Sequence, residues 1–155
     1  MAQKFKFRLE TVRRVRQLEF EAKQRIVANR LRKIGSEQAI IAALERERES
    51  MNEETKRLLS GGHVNIDGVS RYRVRVGYLR GQILDAENRI LAHERELKAE
   101  RAAMVKASVA VKALEKLEER QLAAYELQQR RLETVEQDET AQQMHRRMEH
   151  GAKLV

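Results

Sequence analysis

The chain has 155 residues and a formal net charge of +8; 36% of its residues are charged, 4% are aromatic, and proline, cysteine and tryptophan are absent. The lack of cysteine excludes disulfide bonds and cysteine nucleophiles, and the high charge with few aromatic residues argues against a wide hydrophobic core. Such a composition is typical of long exposed helices, provided that apolar residues recur at helical spacing and give each helix a surface to bury.

The positive charge is concentrated at one end of the chain. Residues 1–33 contain eleven lysines and arginines and three acids, which accounts for the whole net charge, whereas residues 34–155 carry equal numbers of each sign. The protein is therefore expected to have one basic end rather than a uniformly basic surface.

The first predicted element is a helix over about residues 8–59. Its early apolar residues are irregularly spaced, and we expect its seam toward a partner helix to contain Val12, Val15, Leu18, Ala22, Ile26 and Leu31. The seam then continues with apolar residues in a seven-residue repeat, at Ile34 and Ile41 and at Leu44, Met51 and Leu58. A seven-residue apolar repeat is the pattern with which one helix packs against another. Gly35 and Ser36 interrupt the pattern and predict a bend.

Helix-breaking residues are densest at residues 60–69, where three glycines fall close together. We interpret this segment as the reversal between two helices, with Asp67 or Ser70 capping the second helix. The second helix is predicted over about residues 70–150, with Gly151 ending it and the last residues frayed.

The second helix carries a long apolar ladder with a period of seven residues, formed by Val76, Ile83, Ile90, Leu97, Met104 and Val111. A companion series is polar only in its middle and consists of Tyr72, Leu79, Ala86, His93, Glu100, Ala107 and Leu114. We interpret His93 as a polar residue that sets the register between helices. The predicted fold is all-α: a long antiparallel two-helix coiled coil, or α-hairpin, forming a single domain over residues 1–155. The glycine-rich reversal favours this hairpin over a dimer of extended chains.

The second predicted helix is longer than the first, so its last thirty or so residues should extend past helix one, at about 1.5 Å per residue. The register slips after Leu114, in agreement with a change of packing there. Residues 115–139 hold eight acids and four bases. An antiparallel hairpin would place the basic start of helix one against the beginning of this acidic stretch, which favours that arrangement.

No pattern of residues indicates catalysis, a metal or a cofactor. The chain lacks a Gly-x-Ser-x-Gly elbow and a glycine-rich phosphate loop, and His145 and His150 point to different faces of a helix. We therefore expect a protein that is not an enzyme.

Nucleic acid and anionic lipid are weaker alternatives as binding partners of the basic end, where Phe5, Phe7 and Phe20 are the interleaved aromatics. No run approaches the roughly 20 apolar residues of a membrane span, so a cytoplasmic location is expected.

Several short motifs occur together in one order along the chain. They are Phe5-Lys-Phe-Arg-Leu-Glu-Thr-Val, the turn followed by Arg71-Tyr-x-x-x-x-x-Tyr-Leu, Lys112-Ala-Leu-Glu-Lys-Leu-Glu-Glu-Arg, Tyr125, and Glu136-Gln-Asp-Glu-Thr-Ala. In this order the chain resembles the flagellar FliJ family of type III export proteins, over about residues 5–145.

The resemblance implies a coiled coil similar to the rotor stalk of the F-type ATP synthase, acting as a non-enzymatic stalk and chaperone component of the flagellar export apparatus. The implied partners are the hexameric flagellar export ATPase, the cytoplasmic domain of the export-gate membrane protein, and export chaperones. The implied contacts with the ATPase ring are Phe5, Phe7, Arg8, Leu9, Arg13, Asp138 and Glu139. The implied contacts with the gate are Tyr78, Gln82 and Arg89. The implied location is the cytoplasm, peripherally associated with the inner membrane at the flagellar base.

Three other functions stay open at the level of sequence. The chain could be the equivalent stalk of a virulence type III secretion system, a generic coiled-coil scaffold, or a basic protein associated with nucleic acid. A salt-dependent affinity for nucleic acid would distinguish the last of these from the others.

Overall fold

The computed structural model describes residues 4–152, with side chains described as far as Glu149. Within that range the chain forms two helices, α1 (Glu10–Ser60) and α2 (Ile66–Ala152), and no strand. The two helices pack against each other, and α2, with 87 residues, is longer than α1, with 51. The prediction of an all-α fold built from two unequal packed helices is confirmed. The predicted fraying at the end of the chain falls partly on residues 153–155, outside the described range.

α1 begins close to its predicted start. The first hydrogen bonds run from the Glu10 amide to the Phe7 carbonyl, at 3.3 Å, and from the Arg13 amide to the Leu9 carbonyl, at 2.8 Å. The Glu10 carboxylate stands in the first turn, where the exposed amides favour a negative charge. The helix continues through Gly35, so the predicted interruption there does not end it.

α2 begins earlier than predicted, and a different residue caps it. The Asn65 side-chain oxygen accepts a hydrogen bond from the Gly68 amide at 3.0 Å, and the Asn65 carbonyl accepts one from the Val69 amide at 3.0 Å. Asn65 is therefore the N-cap, and the prediction of Asp67 or Ser70 in that role was wrong. The turn is tight at Gly68, where a Cβ would stand only 3.2 Å from the side chains of Asn65 and Leu58.

The far end of α2 also differs from the prediction. The helix includes Gly151 and is described as far as Ala152, so Gly151 does not terminate it. Glycine disfavours a helix interior by only about 1 kcal/mol relative to alanine, which a long helix tolerates near its end.

The contacts between the helices fall into two compact units, which we describe separately. Unit 2 comprises Leu18–Ala107, and unit 1 joins residues 4–17 to residues 108–152. In unit 2, Glu47 of α1 binds Arg75 of α2 at 2.6 Å. Earlier along α1, Arg30 binds Glu100 at 2.8 Å. The later residue of α1 contacts the earlier residue of α2, so the helices of unit 2 are antiparallel.

The buried seam of unit 2 follows the predicted ladder of α2. Leu79 and Ala86 are fully buried, and Val76, Ile83 and Leu97 are less than 10% exposed. These residues belong to the two seven-residue series, so the prediction of the α2 face is confirmed. A seam of this kind is narrow, because only two positions of each heptad face the other helix.

The predicted seam of early α1 was wrong. Five of its six residues have exposed fractions of 42–62%, namely Val12, Val15, Leu18, Ile26 and Leu31. The buried residues of α1 are Val27 and Ile34 instead. Val27 lies one heptad before Ile34, so the regular repeat of the later helix extends backward. Ile26 is one residue away and therefore points about 100° around the helix.

Unit 1 pairs the start of the chain with the later part of α2. The ring centroids of Phe5 and Tyr125 are 5.7 Å apart, and an Arg13 guanidinium nitrogen lies 3.0 Å from a Glu118 carboxylate oxygen. Phe7 is 5% exposed. The order of these pairs is again antiparallel.

Only part of α2 in unit 1 is covered by the start of the chain. Every described side chain in residues 131–149 is exposed. This stretch is a single exposed helix within unit 1.

Candidate interaction sites

The described residues offer surfaces rather than an enclosed reaction centre. Among residues 4–149, no group of three or more His, Asp or Glu side chains is placed to hold a metal ion. No helix in the described part of the chain is long and apolar enough to cross a membrane. The candidate sites are therefore exposed side chains and the polar contacts that position them.

A polar layer crosses the apolar seam of unit 2. The Arg30 guanidinium donates two hydrogen bonds to the Glu100 carboxylate, from Nε at 3.2 Å and from Nη2 at 2.8 Å. It also contacts Glu96, and its Nη1 lies 2.9 Å from His93 Nδ1. Because arginine has only donors, His93 Nδ1 is the acceptor in this contact. The layer agrees with the interpretation of His93 as a polar residue on the seam.

The layer lowers the pKa of a carboxyl group, as does a second ion pair in unit 2. The hydrogen bond from Arg30 holds the pKa of Glu100 below its ordinary value of 4.5, and the hydrogen bond from Arg89 does the same for Glu37. A carboxyl whose folded pKa is depressed contributes stability above its unfolded pKa, and that contribution is lost as the pH falls through the folded value.

We therefore expect the unfolding temperature to fall on acidification below pH 4.5, and to fall less in a Glu100→Gln variant. Circular dichroism melts at a series of pH values measure this. Glu87→Gln, which removes an exposed carboxyl on the same helix, is the control. Superimposable pH profiles for wild type and Glu100→Gln would contradict the assignment of acid sensitivity to this pair.

The residues predicted to contact the gate share one face of α2 in unit 2. Tyr78 is 57% exposed, and its hydroxyl accepts a hydrogen bond from Gln82 Nε2 at 3.1 Å. The Arg75 guanidinium lies 5.3 Å from the centre of the Tyr78 ring, a cation–π contact that orients the ring. Arg89 is held by Glu37 at 3.0 Å. The structure thus presents Tyr78 to solvent and engages Arg89 within the unit, and the gate contact stays a prediction.

The residues predicted to contact the ATPase ring all belong to unit 1, in two environments. Phe5 stacks near Tyr125, Phe7 is buried, and Arg13 is held by Glu10 and Glu118. These three side chains pack the start of the chain onto α2. The exposed members of the predicted set are Arg8, Leu9, Asp138 and Glu139.

A further exposed surface lies on the last part of α2, the stretch predicted to extend past helix one. Its apolar side chains have exposed fractions of 50–75%, at Leu132, Val135, Met144 and Met148. Leu132 and Val135 follow the predicted slip of the register after Leu114 and do not continue the seven-residue series. The sequence did not indicate a role for these apolar side chains.

Comparison with known proteins agrees with the order of motifs in the chain. The family model described as flagellar FliJ protein matches residues 5–150. The chain belongs to the flagellar FliJ family. It is therefore a component of the flagellar type III export apparatus, and the predicted resemblance is confirmed. No curated protein and no solved structure matched the chain.

Proposed function

We propose that the chain is a non-enzymatic stalk and chaperone component that binds the hexameric export ATPase and the cytoplasmic domain of the export gate, and so couples ATP hydrolysis to protein export. The observation that carries this proposal is the family match over residues 5–150. In this role the protein works in the cytoplasm, beside the inner membrane at the flagellar base.

The contact with the ATPase is assigned to the exposed surface of unit 1. It combines a basic, apolar start at Arg8 and Leu9 with an exposed helix that bears Asp138 and Glu139. Both signs of charge are thus available to complementary charges on a ring subunit. A two-helix stalk lacks the symmetry of a six-membered ring, so its contacts differ from subunit to subunit and can favour different conformations in each.

The contact with the gate is assigned to the Tyr78 face of unit 2. An exposed tyrosine held beside an arginine is a common anchor in protein interfaces, because its ring buries a large area at little entropic cost. Gln82 and Arg75 hold that ring in place.

The ATPase contact is tested by adding the purified protein to the purified export ATPase and measuring binding and ATP turnover. Wild type should bind and raise turnover, and Asp138→Arg/Glu139→Arg should bind at least about tenfold more weakly. Glu87→Arg/Glu94→Arg makes the same change of charge on exposed positions of unit 2 and should behave as wild type. If wild type neither binds nor changes turnover, the proposed coupling is wrong.

A further inference from the structure

The turn end of unit 2 exposes apolar side chains around the reversal of the chain. Leu59 and Val64 are 51% and 53% exposed, and Ile66 and Val74 are 75% and 73% exposed. Val64 and Ile66 flank the Asn65 cap, where the backbone is locally fixed. These four side chains are exposed and do not line the groove that Arg73, Gly77 and Arg80 form with Asn52 and Thr55 of α1.

The same end is strongly basic, although the residues after 33 are balanced in charge as a whole. Residues 55–84 contain six lysines and arginines and one acid, Asp67. Three of the six are paired within unit 2, since Lys56, Arg57 and Arg75 bind Glu53, Glu54 and Glu47. The other three, Arg71, Arg73 and Arg80, are exposed and form no ion pair with a described residue.

Two of these arginines, Arg71 and Arg73, flank an uncovered face of α2. At about 100° per residue, Val74 and Gly81 lie opposite the buried Val76 and Ile83. A Cβ added at Gly81 would meet no atom within 4 Å, so nothing in the described structure covers this face at Gly81. Arg71 lies on one side of Val74 and Arg73 on the other, as in helices that lie on a lipid surface.

We propose that this end of unit 2, formed by residues 59–74 together with Arg80, docks on an anionic phospholipid bilayer. Val64 and Ile66 enter the headgroup region, while Arg71, Arg73 and Arg80 bind lipid phosphates. A bilayer fits these observations better than a protein surface, because protruding single apolar side chains need a deformable apolar medium and no matching cavity. The inference does not depend on the ATPase or gate contacts proposed above.

The absence of tryptophan permits a direct test with a single reporter. The Ile66→Trp variant carries its reporter at the proposed docking end. The Leu91→Trp variant carries it at a 51%-exposed position farther along α2 in the same unit. With vesicles that contain phosphatidylglycerol, the tryptophan emission of Ile66→Trp should shift to shorter wavelength and that of Leu91→Trp should not. Vesicles of phosphatidylcholine alone should shift neither.

Charge variants show which residues direct the binding. In the Ile66→Trp background, Arg73→Glu/Arg80→Glu should weaken partitioning into anionic vesicles by about tenfold or more, on the order expected for removing two basic contacts with a charged membrane. Arg95→Glu/Arg101→Glu makes the same charge change at exposed positions of α2 in unit 2 and should weaken it less than about threefold. Far-UV circular dichroism confirms that the variants keep their helices.

Three results would overturn the proposal. The first is an equal shift of tryptophan emission in both reporter variants. The second is equal weakening of partitioning into anionic vesicles by the two charge variants. Either result would assign vesicle binding to another basic part of the chain. The third is an emission shift of the Ile66→Trp variant with the cytoplasmic domain of the gate protein and none with vesicles, which would make this end a protein contact.

Discussion

Replacing Leu79 with alanine is expected to lower the free energy of unfolding by about 2–4 kcal/mol. Leu79 has no exposed surface and lies on the seam of unit 2, one heptad before the fully buried Ala86 of the companion series. Removing its branched end leaves a cavity in a narrow seam where few other residues contribute. The described residues include only ten buried apolar side chains, so the loss of one is a large share of the total.

The measurement is urea unfolding followed by circular dichroism, with Leu84→Ala as the control. Leu84 is 56% exposed on the same helix, so its truncation should change the free energy of unfolding by less than about 0.5 kcal/mol. Equal effects of the two substitutions would show that the seam does not run through Leu79.

Deleting residues 131–155 is expected to abolish the stimulation of the export ATPase while leaving the unfolding temperature nearly unchanged. Every described side chain in residues 131–149 is exposed, and a helix without tertiary contacts adds little to stability. The deletion removes Asp138 and Glu139 together with the exposed apolar side chains of late α2, which are part of the proposed ring contact.

A shorter deletion of residues 150–155 is the control for this experiment and should retain the stimulation. Thermal melts and ATP turnover are measured on the same preparations. A large drop in the unfolding temperature would show that the deleted helix is packed in the folded protein. Full stimulation by the long deletion would place the ring contact elsewhere on the chain.

The site residues show what burial adds to an assignment from sequence. Phe7 and Arg8 are neighbours in the motif that carries the family resemblance, yet Phe7 is buried and Arg8 is exposed. On α2, Tyr78 and Arg89 share a face. Of the two, Arg89 forms an ion pair with Glu37 of α1, and Tyr78 does not. Residue type and spacing predict which side chains share a face of a helix. Contacts with the other helix determine which of those side chains remain accessible to a binding protein.

The sequence by itself determined the class of fold, the position of the reversal and the buried face of α2. A seven-residue repeat that persists over many turns leaves one apolar face, whatever the rest of the chain does. Gly61 and Gly62 disfavour a helix at adjacent positions, and the reversal lies there, although Gly68 belongs to the first turn of α2. The family motifs, in their order along the chain, indicated the export apparatus without the structure.

Only the tertiary structure decided which face of early α1 is buried. That part of the helix has apolar residues on several faces, and the seam includes Arg30, whose charge made it an improbable choice. Its side chain is only 16% exposed, and the hydrogen bonds accepted by Glu100 and His93 on α2 offset the cost of removing the charge from water, a compensation between residues about 70 positions apart in the chain. Pairing over such a distance leaves no mark in local periodicity. The fold of α2 could therefore be predicted from its own sequence, whereas the packing of α1 required its partner.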